Sequence, residues 1–357
     1  PAIDACEVGE RIFGGNLMAT KIGINGFGRI GRCVLRAIVE RGLDDIEVAL
    51  INDITDDTTL AHLLKYDSTF GVFKHDVSVK SGAIEVAGRT IKTSEVRDPK
   101  EIAWKAEGVD VVLECTGLFV SADKAKWHLD AGAKKVLLSA PGKGEGIRTI
   151  VLGVNDKDYD PKTDHIVSVG SCTTNCLAPV ARVLLDNFGI KYGLMTTTHA
   201  YTNDQNLLDL PHRKGDLRRA RAAAVNMVPT TTGAARAVAL VIPELKGKFD
   251  GLAIRVPTID VSLVDLVFQS ERPMTKESIN EAMKKAAQTP QLKGKLQYND
   301  LLLVSSDMIG NPHSSIFDAT MTTVISENMA KVFSWYDNEW GFSNRMVDFL
   351  QILAASK

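Results

Sequence analysis

Lys21-Ile22-Gly23-Ile24-Asn25-Gly26-Phe27-Gly28-Arg29-Ile30-Gly31-Arg32 decides the fold of this chain. An apolar run of strand character meets a glycine-rich turn, which opens directly into Arg32-Cys33-Val34-Leu35-Arg36-Ala37-Ile38-Val39, a helical stretch. A second apolar run, Glu47-Val48-Ala49-Leu50-Ile51-Asn52-Asp53, completes a strand–helix–strand unit of about thirty residues and predicts a parallel sheet. Gly26, Gly28 and Gly31 stand in strict GxGxxG spacing. Glycines at those places let the backbone turn tightly and approach a pyrophosphate, which then sits at the positive end of the helix dipole. Asp53 ends the second strand, where a carboxylate accepts both ribose hydroxyls of a dinucleotide and repels a 2′-phosphate. The expected cofactor is therefore NAD.

Further strand-like runs at Val109–Glu114 and Lys135–Ser139, separated by a helical stretch at Ser121–Ala131, extend the pattern. They predict a doubly wound, parallel-sheet (Rossmann) NAD domain over residues 18–171. Beyond Cys172 the texture changes. A helix at Thr173–Phe188 precedes alternating runs at Gly193–Thr198, Gly251–Pro257 and Val261–Phe268, which predict an α+β catalytic domain with a mixed or antiparallel sheet over residues 172–337. The last stretch, 338–357, contains a helix at Arg345–Ala355 expected to pack back on the NAD domain. Residues 1–17 read as a leader or extension without a part in the fold, because Met18 followed by a strand-like run resembles a natural start.

Bulk properties exclude several classes of function. A chain of 357 residues with 45% hydrophobic and 24% charged content suits a soluble protein of about two domains. Its net charge of −2 gives no global attraction to nucleic acid or to an anionic membrane, and no apolar run is long enough to cross a bilayer. Five cysteines, an odd number without the spacing of a disulfide framework, point to a reducing compartment and hence the cytoplasm. Cys172 and Cys176 have no second Cys/His pair to complete a metal site, so no metal is expected.

Ser171-Cys172-Thr173-Thr174-Asn175 lies at a predicted helix start. There the dipole favours thiolate, and free backbone N–H groups can hold a developing oxyanion. The polar neighbours set Cys172 apart from a core cysteine, whereas Cys176, one turn on, is expected to face the core. His199 closes the strand-like run Met195-Thr196-Thr197-Thr198, where a side chain projects into a loop and can take and return a proton. Arg218, Arg219 and Arg221 share a segment with Asp216, and Arg255 sits in the otherwise apolar Ala253-Ile254-Arg255-Val256-Pro257. A guanidinium there needs an anion, either an internal carboxylate or a substrate phosphate. Thr230-Thr231-Thr232-Gly233-Ala234-Ala235 reads as a hydroxyl-rich helix start able to donate to phosphate.

From Lys21 to the C-terminus the chain resembles the glyceraldehyde-3-phosphate dehydrogenases, through Lys21–Arg32, Leu63-Leu64-Lys65-Tyr66-Asp67-Ser68, Ser171–Cys176, His199–Gln205, Thr232–Ala235, Arg255-Val256-Pro257 and Trp335-Tyr336-Asp337-Asn338-Glu339-Trp340-Gly341. That resemblance implies oxidation of glyceraldehyde 3-phosphate to 1,3-bisphosphoglycerate with NAD and inorganic phosphate, a step of glycolysis and gluconeogenesis. Cys172 would be the nucleophile that carries a thiohemiacetal and then a thioester, and His199 the acid/base. Thr202 and Arg255 resemble the family's site for the substrate phosphate, and Ser171, Thr173, Arg219, Thr232 and Gly233 that for the attacking phosphate. Arg29, Ile30, Asp53, Arg97, Ser139 and Asn338 resemble its cofactor contacts. Leu210-Pro211 resembles the NAD-dependent form of a loop lent to a neighbouring subunit, and a homotetramer is implied. Three places depart from the pattern: Val169-Gly170, Lys214-Gly215 and Met308-Ile309, all expected near the active-site cleft. The alternatives are an erythrose-4-phosphate dehydrogenase and a non-catalytic binding protein on the same scaffold.

Overall fold

Apolar runs of two textures build two sheets, one buried on both faces and one alternating between core and surface. The structure is a computed structural model, and it describes residues 19–355. The reading of residues 1–17, the assignment of Met18 as a start, and Cys6 lie outside the described residues.

The first sheet has nine strands, in the order Arg148–Thr149, Ile166–Ser168, Lys135–Leu138, Val111–Glu114, Thr20–Asn25, Ile46–Asn52, Arg89–Ser94, Ala83–Val86, Val77–Lys80. All pairings as far as Arg89–Ser94 are parallel; the last two strands add antiparallel hairpins at the edge. The strand Thr20–Asn25 has Ile46–Asn52 on one side and Val111–Glu114 on the other, so the order reverses there and a crevice opens at the strands' C-terminal ends. Ile22, Ile24, Ile51 and Leu113 are fully buried, as strands covered on both faces require. The helix Arg29–Glu40 covers one face with Val34, Leu35 and Ile38, and the terminal helix Trp340–Ala355 adds Phe342, Met346, Phe349 and Leu350 to the same core. This last helix begins at Trp340 rather than at Arg345, because the Asp337 carboxylate accepts the N–H groups of Glu339 and Trp340 and so starts it earlier.

The second sheet has seven strands, in the order Val228–Thr231, Phe249–Val256, Tyr192–Ala200, Ser262–Gln269, Met329–Tyr336, Ser315–Ile325, Leu296–Asn299. It is mixed, with parallel pairing between Tyr192–Ala200 and Phe249–Val256 and between Leu296–Asn299 and Ser315–Ile325. The helix Cys172–Phe188 lies against it and buries Leu177, Val180 and Leu184 with Met195, Leu266 and Val332. Cys176 faces this core, its thiol bonded to Ser315 and to the Ser334 carbonyl. Cys172 packs against both cores, at the seam between the sheets. No helix is long and apolar enough to cross a membrane, and no cluster of metal-ligating side chains occurs, among the described residues.

Candidate active site

A cleft of about 590 Å³ runs from the crevice of the first sheet to the seam. Of the predicted site residues it is lined by Gly26, Gly28, Arg29, Ile30, Asp53, Arg97, Cys172, His199, Thr202 and Asn338. The donors and the space suit a dinucleotide. The helix Arg29–Glu40 has no side-chain cap and no acid in its first turn, which leaves its leading N–H groups for an anion. A Cβ at Gly28 would have nothing within 4 Å, so the room beside it belongs to the cleft. Gly26 adopts φ +91°, and a Cβ there would come within 2.8 Å of the Thr116 nitrogen. Asp53 is fixed by the N–H groups of Phe27 at 2.7 Å and Thr55 at 3.0 Å. Arg29 pairs with Asp67 and Glu339; burial opposes its charge, and these carboxylates outweigh that and raise its pKa. Asn338 is oriented by the Ser262 hydroxyl, 2.6 Å from its Oδ1. Gly31 and Ser139 lie off the cleft. A Cβ at Gly31 would meet the Gly26 carbonyl at 2.3 Å, so its part is close packing of helix on strand, and Ser139 bonds to the Cys115 thiol behind the lining.

Cys172 is the first residue of its helix, and Ser171 caps it by accepting the Thr174 N–H at 3.0 Å. The Cys172 Sγ lies 3.6 Å from His199 Nε2. Two groups compete for His199 Nδ1, the Ala200 carbonyl at 2.7 Å, which can only accept, and Arg255 Nη1 at 3.2 Å, which can only donate; the shorter contact assigns the proton to Nδ1 and the lone pair to Nε2, facing the thiol. Sheet register sets Arg255 opposite His199 on the neighbouring strand, and its Nη1 donates to the Ala200 carbonyl at 3.1 Å and to Thr202 Oγ1 at 3.2 Å. Burial, and then the Arg255 charge, hold the imidazole down at about 3, so it is neutral at physiological pH. The thiol departs from the sequence expectation. Burial pushes Cys172 above its ordinary value, and this outweighs the Arg255 charge and the bonds at Thr173 that pull it down. The pair is thus a neutral thiol beside a neutral base.

Sequence reading missed Tyr336, which is buried and whose hydroxyl bonds to Thr173 Oγ1 and Thr197 Oγ1, each at 2.8 Å. Its ring stands edge-on to His199 at 5.9 Å. Tyr336 ties the cysteine helix to the histidine strand, and only its place in a quoted motif could have drawn notice to it. Of the phosphate candidates, only Thr202 lines the cleft. Thr173 spends its hydroxyl on Tyr336, and Ser171 spends its own on the helix cap. Arg219 pairs with Asp204 and bonds Thr230 Oγ1 at 2.9 Å, while Arg218 is exposed and reaches the Pro229 carbonyl. Thr230 and Thr231 end a strand, and the helix begins only at Ala234 with Thr232 Oγ1 accepting its N–H. The departing segments are not in the cleft wall. Val169 is packed in the first core, Gly170 takes φ +74°, Met308 is buried against Val261 and Ile316, and Lys214 reaches the cleft only through Asp204, 3.5 Å from its ammonium.

A dinucleotide crevice that ends on a thiol and a neutral imidazole defines an NAD-linked oxidoreductase. Residues 20–122 match the family model described as glyceraldehyde 3-phosphate dehydrogenase, NAD binding domain, and residues 171–338 match that of the C-terminal domain. Glyceraldehyde-3-phosphate dehydrogenase of Streptomyces coelicolor is 55% identical over 331 residues, covering 93% of this chain and 97% of that protein. The Geobacillus stearothermophilus protein of the same name is 56% identical, covering 95% and 99%, and that of Mycobacterium avium 57%, covering 95% and 100%. The chain belongs to the glyceraldehyde-3-phosphate dehydrogenase family.

Proposed function

We propose that this protein oxidises D-glyceraldehyde 3-phosphate and transfers the resulting acyl group from Cys172 to inorganic phosphate, giving 1,3-bisphosphoglycerate. The observation that carries the reading is the thiol 3.6 Å from an imidazole nitrogen whose lone pair faces it. Sγ attacks the aldehyde carbon while Nε2 takes the thiol proton and passes it to the carbonyl oxygen, forming a thiohemiacetal. Asp53, Asn338 and the uncapped helix would hold NAD in the cleft, where it would supply the hydride acceptor. As the thiohemiacetal is oxidised, Nε2 removes its hydroxyl proton and a thioester is left on Sγ. A phosphate oxygen then attacks the thioester carbon, the C–S bond breaks, and the sulfur regains its proton from His199. Thr202 and Arg255 hold the substrate's own phosphate; Arg219, Thr232, Gly233, Ser171 and Thr173 surround the attacking one, the last two through backbone N–H groups.

In this reading residues 18–171 and 338–357 form the NAD domain and residues 172–337 the catalytic domain. The protein works in the cytoplasm, which agrees with the free thiols of Cys33, Cys115, Cys172 and Cys176. It assembles as a homotetramer, a state supported by the exposed apolar side chains of Leu207, Leu208, Leu217, Val225 and Met227 around the 202–227 loop. The test is NADH formation from glyceraldehyde 3-phosphate with phosphate varied and NADP run beside NAD. Steady turnover that ignores phosphate, or erythrose 4-phosphate preferred as substrate, overturns the proposal.

A further inference from the structure

Beneath the cofactor cleft lies a chain of buried polar groups that the reaction does not use. Glu114 ends its strand beside the crevice, fully buried, and its carboxylate accepts from Asn25 Nδ2 at 2.7 Å, from the Thr116 N–H at 2.8 Å, from the Thr116 hydroxyl, and from His128 Nε2 at 3.0 Å. The direction of the His128 bond follows from its other side. Trp104 Nε1, which can only donate, lies 3.2 Å from His128 Nδ1, so Nδ1 accepts and the ring proton sits on Nε2, aimed at Glu114. His128 and Trp104 are both fully buried. Every neighbour gives Glu114 a hydrogen, the pattern an acceptor-only carboxylate needs.

The far ends of these bonds are cleft residues. Asn25 and Thr116 both line the cleft, and Asn25 Oδ1 accepts from Asn52 Nδ2 at 2.9 Å, so the two ends of the Asn25 amide are each spoken for. Asn52 in turn accepts the Ser94 hydroxyl at 2.8 Å and the Val96 N–H at 2.9 Å, and Val96 is again in the cleft wall. Thr116 also sets the glycine turn, because the space where Gly26 would carry a Cβ is closed by the Thr116 nitrogen at 2.8 Å.

We infer that Glu114 and His128 are positioning residues for the cofactor: together they fix Asn25 and Thr116 in the cleft floor, so that NAD affinity, and not the thiol chemistry, depends on them. The inference rests on the cleft being the NAD site. Neither residue touches the cofactor; both act through the amide and the threonine above them. Losing an acceptor in a buried site leaves donors unpaired, which is the costly direction of change, and the donors left unpaired belong to Asn25 and Thr116 of the cleft wall.

The test is equilibrium NAD titration of the whole enzyme, with alkylation of Cys172 by iodoacetamide in the absence of NAD as an independent readout. Glu114→Gln turns an amide N–H₂ toward groups that all donate, and is expected to raise the NAD Kd and KM about tenfold or more. Its kcat at saturating NAD and its alkylation rate stay within about threefold of the parent. His128→Gln keeps a donor at the place of Nε2 and stays within about threefold in Kd, whereas His128→Leu behaves as Glu114→Gln does. Should Glu114→Gln fail to fold, Thr116→Val removes one donor of four and still raises Kd measurably. An unchanged Kd in the folded variants overturns the inference, as does His128→Gln losing affinity and alkylation rate in parallel with His128→Leu, the mark of a packing defect. Failure of the parent enzyme itself to bind NAD would instead overturn the reading of the cleft.

Discussion

At the scale of single residues, the pairing of Cys172 with His199 couples two opposite effects of one environment. Burial raises the thiol and depresses the imidazole to about 3, and the Arg255 guanidinium pulls both down. A free enzyme so poised has no titration of His199 between pH 5 and 8. The rate of Cys172 alkylation by a neutral haloacetamide should therefore climb toward alkaline pH with no inflection near 6.5, and an inflection at 6–7 that vanishes in His199→Asn would refute the neutral pair. His199→Asn itself should slow acylation by about 10²–10⁴, the usual worth of a positioned base, read as the pre-steady-state burst of NADH. Tyr336→Phe leaves the Thr173 and Thr197 hydroxyls without their partner in a buried place, at about 1–3 kcal/mol of stability. If Tyr336 also aligns the two reactive groups, kcat falls while the KM for NAD holds; a lower melting temperature with kcat unchanged would make it a packing residue only.

At the scale of elements, the glycine turn separates two kinds of glycine that the motif treats alike. A methyl at Gly31 would strike the Gly26 carbonyl at 2.3 Å, and backbone on backbone cannot give way, so Gly31→Ala should lower stability by about 1–3 kcal/mol and NAD affinity with it. A methyl at Gly28 meets only open cleft, on an extended backbone with φ −71°. Gly28→Ala should melt with the parent protein and yet bind NAD poorly; equal loss of stability in both variants, followed by thermal unfolding, would contradict this division. The turn, its two strands and its helix were legible in the sequence because the contacts that form them are local and periodic. So were the cysteine helix and the histidine strand, whose ends differ from the expected ones by a residue or two. The edge hairpins Val77–Lys80, Ala83–Val86 and Arg89–Ser94 were not read, since their alternation is interrupted by short turns and polar residues. Tyr336 and Glu114 escaped for another reason: their partners Thr173 and Asn25 stand 163 and 89 residues away, and no spacing rule spans that distance. The thiol's direction of shift was misjudged because a helix start is visible in sequence, whereas the burial that overrides it is not.

At the scale of the whole molecule, the junction from the second sheet into the terminal helix is a buried acid pair. Asp260 is fully buried, and burial, then the neighbouring charges of Asp337 and Glu339, push its carboxyl up to about 9. Burial likewise lifts Asp337 to about 6, although it accepts N–H groups from Gly310, Glu339 and Trp340. Val261, next in the chain after Asp260, takes φ +68° and is packed against Met308 and Ile316, a branched residue in a conformation it avoids unless its surroundings impose it. Asp337 is followed directly by Asn338 and Glu339, which line the cleft. A carboxyl whose pKa is raised by folding binds its proton more tightly in the native state, so its contribution to stability is whole below the unfolded value near 4 and declines as pH rises toward 9. Between those limits one such group accounts for a slope of up to about 1.4 kcal/mol per pH unit. Asp260→Asn substitutes a permanently neutral group of the same shape and removes that slope. Thermal unfolding from pH 6 to pH 9 should therefore show the parent melting temperature falling more steeply than that of Asp260→Asn, with the two curves drawing together at the acid end. Parallel curves would mean that Asp260 is ionised in the native protein, and a variant that binds NAD normally while losing its pH slope would assign the pair to stability and leave the cleft geometry to Asn338 and its bond from Ser262.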